Sequence, residues 1–419
     1  MTCPYSQPDC LSELATDAPR CLCGGYVKRC SRCATRSRAF AVFCRGCGTV
    51  LPPLATNWAG YKGGSRRLGA TASAAGSDCV SRSTDLRLRL GDACRSLLGY
   101  DGHLIAISVS GVVEIADPLR AKSVCRFQTQ GPITAEPCIS DGVLYLAMRG
   151  QLSAYAMAAL VLEPPRVRPL WQVPLNGTPI HALTAAAGRL YVTVATADWR
   201  EVHVVEQRTV RSILGAPKMS WVAADPSGSS AVFLSEEDGR VRLHVMSEGL
   251  ATHPVALHTL ADHPIALLGG KVFGIFGEAH RLYRIDAANG AVHEPLDEDT
   301  QLFALTRDAA DDWDRDGVGI DTGGIAFWRS GVRDSFAPHE RASKGSPVIV
   351  QCCAAAVGME DGRVLLYNLA QLPRHEVWRL GNQAGAAITA LASFESYIAA
   401  GNREGMVEVR ELLSQGAGQ

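Results

Sequence analysis

The chain has 419 residues, 47% hydrophobic, 6% aromatic and 20% charged, with 41 Gly and 21 Pro. That balance excludes intrinsic disorder, collagen and a coiled coil, and the length asks for two domains or one large repeat domain plus a small one. The formal net charge of −1 hides an asymmetry: residues 1–100 hold 14 Lys and Arg against 6 Asp and Glu, and no acidic residue lies between Asp17 and Asp78.

Met1–Arg20 carries Asp9, Glu13 and Asp17 and no apolar core, so no secretory signal is expected. The longest apolar candidate, Ala156–Leu162, is far short of the ~20 residues that span a bilayer. A cytoplasmic chain follows as the expectation, and there thiols stay reduced. Fourteen cysteines then point to metal before disulfides.

Eight cysteines crowd the first 47 residues. The last four read Cys30-Ser-Arg-Cys33 and then Cys44-Arg-Gly-Cys47-Gly48. Each Cys-x-x-Cys knuckle sets two thiolates on one tight turn, which suits tetrahedral Zn²⁺. Four thiolates leave no open position for catalysis, so the metal reads as structural. So small a region buries too little apolar area to fold unaided. Zinc would supply the folding energy, on the order of 10–16 kcal/mol. The alternative is four free thiols. Cys3, Cys10, Cys21 and Cys23 offer a second zinc set, or free thiols in a loose arm, because their spacing is not that of knuckles. Ala39–Phe43 reads as a short strand between the knuckles. Residues 26–51 resemble the zinc-ribbon family, whose short members run Cys-x-x-Cys, a strand ending in Phe, then Cys-x-x-Cys-Gly. Lys28, Arg29, Arg32, Arg36, Arg38 and Arg45 make the same region a candidate contact for nucleic acid or another anionic partner. The alternative is a basic surface that merely keeps a small domain soluble.

Residues 54–83 are rich in Gly, Ala, Ser and Thr and read as a flexible linker between a Cys-rich region, 1–53, and the rest of the chain, 84–419. That remainder repeats one unit, apolar strands joined by Gly or Asp-Gly turns, with anchors near 102, 142, 188, 229, 270, 354 and 396. The period is about forty residues, the signature of four-stranded propeller blades. One gap of two periods holds Leu302-Phe-Ala-Leu and Gly324-Ile-Ala-Phe-Trp, a divergent unit. An all-β, eight-bladed β-propeller is expected, or a seven-bladed one if the divergent region is an insertion. Thr84–Leu90 alternates cleanly and offers the outer strand that the final unit lacks.

The units resemble the quinoprotein-like (PQQ-like) propeller repeat more than the WD40 repeat. Leu282-Tyr-Arg-Ile-Asp286-Ala-Ala-Asn289-Gly290 is similar to that repeat's Leu-Tyr-Ala-Leu-Asp-x-x-Thr-Gly, and Trp171 and Trp378 match its outer-strand Trp. Some quinoprotein enzymes stack a vicinal disulfide on the cofactor, and Cys352-Cys353 is such a pair. Calcium and quinone ligands are not identifiable, so packing is the preferred role for the pair. Asp312, Asp314, Asp316 and Asp321 alternate ahead of and around Gly317, a pattern that could wrap Ca²⁺ and resembles the loops of integrin-type propellers. The alternative is a solvated acidic loop. No Gly-x-Ser-x-Gly, phosphate loop or His-Glu-x-x-His occurs.

The expectation is therefore a non-enzymatic interaction scaffold: propeller faces dock partner proteins and a tethered basic ribbon makes a second contact. By analogy, bacterial chains of this layout can join multi-protein assemblies with an AAA ATPase and a von Willebrand A-type protein. The rival readings are a nucleic-acid binder acting through the ribbon and, more remotely, a quinone-dependent enzyme.

Overall fold

The computed structural model describes residues 27–38, 44, 46–49, 51, 70–71, 79–162, 167–186, 188–225, 230–257, 259–260, 264–268, 270–276, 281–293, 302–305, 316–320, 325–329, 332–336, 348–350, 354–368, 375–380, 385–394 and 396–414. Apart from a small hairpin near the N-terminus, the described strands form eight sheets, antiparallel but for one added strand, whose first strands follow one another along the chain. In chain order their first strands are Cys94–Tyr100, Cys138–Ser140, Thr178–Ala186, Lys218–Met219 with Ala223–Ala224, Ile265–Leu268, Leu302–Leu305, Val348–Val350 and Ile388–Phe394. We number the sheets 1 to 8 in that order. Most have four strands in simple up-and-down order.

Local chemistry explains the hairpins. Asp101-Gly102, Asp141-Gly142 and Asp238-Gly239 are two-residue loops with both φ angles positive, the turn whose twist matches flanking strands. Gln207-Arg208 forms the same kind of loop, at φ 47° and 70°, without a glycine or Asp. That turn is invisible to composition because two ordinary side chains bear its strain.

The apolar side chains do not gather in one centre. Separate clusters lie between consecutive sheets: Ile105, Ile115 and Leu144 between sheets 1 and 2, Leu152, Leu183 and Val192 between 2 and 3. Val204 and Phe233 join 3 to 4, and Val232, Leu243 and Phe276 join 4 to 5. Sheet 8 packs on sheet 7 and on sheet 1 at once. Gly99 of sheet 1 has no room for a Cβ, which would lie 2.2 Å from Phe394 of sheet 8. First and last sheets thus adjoin.

The fourth strand of sheet 8 comes from the other end of the repeat region. Cys79–Arg89 runs antiparallel to Met406–Ser414, with Arg89 opposite Met406 and Cys79 opposite Ser414. This is the pairing expected for Thr84–Leu90, begun five residues earlier. Leu86 and Leu88 of that strand are buried. Its neighbour Glu408 accepts from Trp378 Nε1 of sheet 7 at 3.1 Å, and Arg410 lies over the same indole, 5.2 Å from its centroid. Both Trp171 and Trp378 stand in fourth strands, as their resemblance implied.

The divergent region forms sheet 6, of Leu302–Leu305, Asp316–Ile320, Ile325–Arg329 and Val332–Phe336. Two pieces of the stretch 54–83 are strand as well: Cys79 onward in sheet 8, and Ala70–Thr71, which run parallel to Val348–Val350 of sheet 7. No helix among the described residues is long and apolar enough to cross a membrane. The short helix Met157–Leu162, the longest apolar run in the sequence reading, buries Met157 and Leu160.

Candidate metal centre and axial belt

Two turns of the same build carry the four cysteines. Val27–Arg29 and Arg36–Arg38 form a hairpin that delivers Cys30 and Cys33 on its loop. Cys30 O accepts from Ala34 N at 2.9 Å, and Cys44 O accepts from Gly48 N at 2.9 Å. Cys30 N donates to Thr35 O at 3.0 Å, and Cys44 N to Thr49 O at 2.8 Å. Ala34 and Gly48, at φ 56° and 71°, hold the left-handed position that closes each turn. The matching hexapeptides Cys30-Ser-Arg-Cys-Ala-Thr35 and Cys44-Arg-Gly-Cys-Gly-Thr49 encode this symmetry.

The turns face one another. Cys30 Sγ is 3.6 Å from Cys47 Sγ, Cys33 Sγ is 3.4 Å from Cys44 Sγ, and all four sulfurs lie within 4.8 Å of one another. A disulfide needs about 2.05 Å. The edge of a tetrahedron of sulfurs around Zn²⁺ is about 3.8 Å, given Zn–S near 2.3 Å. The donor set therefore fits a tetrahedral thiophilic cation. Cys30, Cys44 and Leu51 form the small buried cluster beneath it, and Cys33 and Cys47 are exposed.

Electrostatics point the same way. Thr49 hydrogen-bonds Cys47 through its hydroxyl, 3.2 Å from Sγ, and through its amide, pulling that thiol down to about 6. Burial pushes the Cys44 thiol up, but the amides of Gly46 and Cys47 outweigh it and lower it overall. Thr35 pulls the Cys33 thiol down, yet the crowding of Cys47 and Cys44 wins and raises it. Four sulfurs at these distances cannot all ionise without a cation among them. Thr35 and Thr49 were not singled out by the sequence reading. The repeated Cys-x-x-Cys-x-Thr carried the signal.

The other predicted site residues divide as follows. Cys3, Cys10, Cys21, Cys23, Arg45, Asp312, Asp314, Asp321 and the pair Cys352-Cys353 lie outside the described residues. Asp316 begins the strand Asp316–Ile320, opposite Arg329, so the described part of that acidic run is extended backbone. Arg32 is exposed on the first knuckle. In the hairpin register Arg29 stands opposite Arg36, Lys28 opposite Ser37 and Val27 opposite Arg38.

A second constellation lies where the first strands of the sheets converge. These strands carry bulges at equivalent places: at Thr389 in sheet 8, at Arg95 in sheet 1 and over 181–183 in sheet 3. Sheets 2 and 4 have surplus residues at the same place, between Ile133 and Cys138 and between Met219 and Ala223. Bulges re-aim side chains. Here the re-aimed groups bridge sheet to sheet. Thr389 Oγ1 donates to Cys94 O at 2.5 Å, and Arg95 Nη2 to Thr134 O at 2.9 Å. Arg95 Nε also pairs with Glu136 at 3.5 Å. Glu136 N donates to His181 O at 2.8 Å, and Thr184 Oγ1 to Val222 O at 2.7 Å. His181, at φ 62°, stacks on Trp221 with ring centroids 5.2 Å apart. The recurring Pro132-Ile-Thr-Ala135, Pro179-Ile-His-Ala182 and Ala387-Ile-Thr-Ala390 mark the belt in the sequence.

One hydrogen-bonded chain has the composition of catalytic machinery. His244 lies 2.7 Å from Ser235 Oγ and 3.1 Å from Thr252 Oγ1. Ser235 and His244 are both buried, His244 stacks on Phe233, and burial pushes its imidazole down to about 4. These two buried groups satisfy each other, and Thr252 at the end of the chain is exposed.

No protein-family profile matches the chain, and no curated protein matches it. Solved structures do. The computationally designed Ika8 protein aligns with a TM-score of 0.60 at 15% identity, covering 79% of this chain and 100% of its own. BamB from Moraxella catarrhalis aligns at 0.55 and 17% identity, covering 79% and 100%. The quinohemoprotein alcohol dehydrogenase from Comamonas testosteroni aligns at 0.59 and 9% identity, covering 85% and 80%. The class these likenesses define is the β-propeller. At such identities they speak for the fold alone.

Proposed function

We propose that this chain is a non-enzymatic interaction scaffold, in which an eight-bladed β-propeller docks partner proteins and a tethered zinc ribbon makes a second contact. The observation that carries the reading is the pairing of two unlike bodies on one chain. A run of rigid sheets offers broad loop surfaces, and a four-thiolate centre with no free coordination position organises a separate small module. Tethering two contacts raises the effective concentration of the second. The reading places the chain in the cytoplasm, where reduced thiols keep the centre competent for Zn²⁺. Affinity capture of the tagged full chain, with and without nuclease and in parallel with Cys44→Ser, tests it. Specific proteins that survive nuclease, some of them lost with Cys44→Ser, support the scaffold. Capture of nothing specific by either form sinks it.

A second reading is favoured by the hairpin register, which brings Arg29 opposite Arg36 and so gathers basic residues on one short hairpin. Nucleic acid is the partner that such a hairpin would meet. Binding would then weaken steeply with salt, and Arg36→Ala would reduce the log–log salt slope by about 1. Salt-insensitive binding would remove this reading.

A further inference from the structure

The strand Ala70–Thr71 occupies an unusual place. Sheet 7 runs in the order Ala70–Thr71, Val348–Val350, Ala354–Gly358, Arg363–Asn368, His375–Arg379. The added strand therefore sits on the free edge of the sheet's first strand, with Ala70 beside Ile349 and Thr71 beside Val350, in parallel register. It also touches Ile388–Phe394, the first strand of sheet 8. The first strands of neighbouring sheets approach one another there, as Val348–Val350 does Ile388–Phe394 and Ile388–Phe394 does Cys94–Tyr100. In the propeller reading, on which this inference rests, that edge lines the central axis. Among the described residues, sheets 1, 2, 3 and 8 have no strand added to this edge.

The sequence of the occupant suits the place. Gly69-Ala-Thr-Ala-Ser-Ala-Ala-Gly76 contains no residue larger than Thr and no charge. On its N-terminal side Leu68 separates it from Arg66 and Arg67, which are long and charged. Small side chains let a backbone lie close to other backbones in a crowded centre, and the only bonds needed are main-chain ones. An unpaired strand edge is a template for another strand.

We propose that the inner edge of Val348–Val350 is a strand-docking site, held in cis by Ala70–Thr71, that accepts from a partner an extended, uncharged segment of small residues. While the tether holds the edge, the N-terminal module is kept near the axis. A partner strand that takes the edge releases the tether and lengthens the module's reach. Binding in trans and freedom of the ribbon are thereby coupled, each favouring the other.

The test uses the full chain carrying Ala70→Pro and Thr71→Pro together, which removes both main-chain donors of the added strand. The probe is a fluorescent synthetic peptide with the sequence of residues 68–77. Anisotropy should show it binding the double variant at least tenfold more tightly than wild type. Ile349 and Val350 are adjacent, so their amides point to opposite edges of the strand. Hydrogen exchange should show the one that points away from Ala354–Gly358 protected in wild type, exposed in the variant, and protected again by excess peptide, while the other stays protected throughout. A thermal melt of the variant matching wild type in its main transition establishes that the sheets are intact. With that met, equal or absent peptide binding in both forms, or unchanged exchange of the amide on the Ala70–Thr71 side, overturns the proposal. A scaffold that captures no partner yet binds this peptide separates the two readings, because the edge would stand while the wider function falls.

Discussion

The cysteine module and the sheets solve the problem of folding by opposite means. Beneath the four thiols the module buries Cys30, Cys44 and Leu51 as its apolar cluster. Between sheets 8, 7 and 1 alone lie Leu88, Leu104, Trp378, Phe394, Tyr397 and many others. Below about 40 residues apolar burial rarely suffices, and a metal takes its place. In the sheets each apolar face is covered by the next sheet, so stability is spread over many interfaces. In the proposed reading the first region would stand or fall with a single ion, whereas the other would lose stability in small steps.

Breaking the module should have the largest effect. Cys44→Ser, or chelation, removes a contribution on the order of 10–16 kcal/mol. Bound zinc per chain should fall to none, and protection of the Val27–Arg38 amides should vanish, while the main melting transition is unmoved. A main transition that moves with chelation would show the two regions to be one cooperative unit.

A cavity in the sheets should cost less and read out oppositely. Phe394 is 0% exposed and fills the space over Gly99. Phe394→Ala should destabilise by about 3–5 kcal/mol. The denaturant midpoint should fall, and zinc content should stay unchanged.

The buried His244 gives the sheets a titration of their own. Its folded value, about 4, lies below the ordinary 6.5. The unfolded chain therefore takes up the proton first, so stability is full above pH 6.5 and is lost as pH falls towards 4. His244→Gln keeps an amide for Ser235 and Thr252 and should flatten the fall in melting temperature over that window. A slope identical to wild type would show that carboxylates account for all of it.

The smallest effect sharpens the comparison within the module. Gly48 closes the second knuckle at φ 71° without a Cβ, whereas Ala34 closes the first at φ 56° with one. Gly48→Ala should weaken zinc binding by about 1–2 kcal/mol, and Ala34→Gly should strengthen it by up to as much. Competition against a chromophoric chelator measures both. No change in either would mean that coordination, not turn strain, sets the affinity.

Much of this architecture is legible from residues because its determinants are local. A Cys-x-x-Cys turn brings its two sulfurs together whatever lies around it, so Cys30, Cys33, Cys44 and Cys47 could be named in advance. Alternating apolar residues and Asp-Gly turns announce hairpins for the same reason. The outer strand was readable from Thr84 onward by alternation and by the missing edge of the last unit, whereas its start, Cys79–Ser83, read as linker. Arg95, Glu136, His181 and Trp221 were not, because a bulge is a mismatch between two strands and neither strand alone contains it.

Sequence alone thus established the repeat, the four thiols and the charge asymmetry, all of which depend on spacing along one chain. Only the tertiary structure decided which sheets adjoin and that Arg29 pairs with Arg36. It alone set Ala70–Thr71 beside Val348–Val350, far apart in the chain. That last contact is carried by backbone hydrogen bonds, which every residue but proline can make, so no pattern of side chains could have announced it.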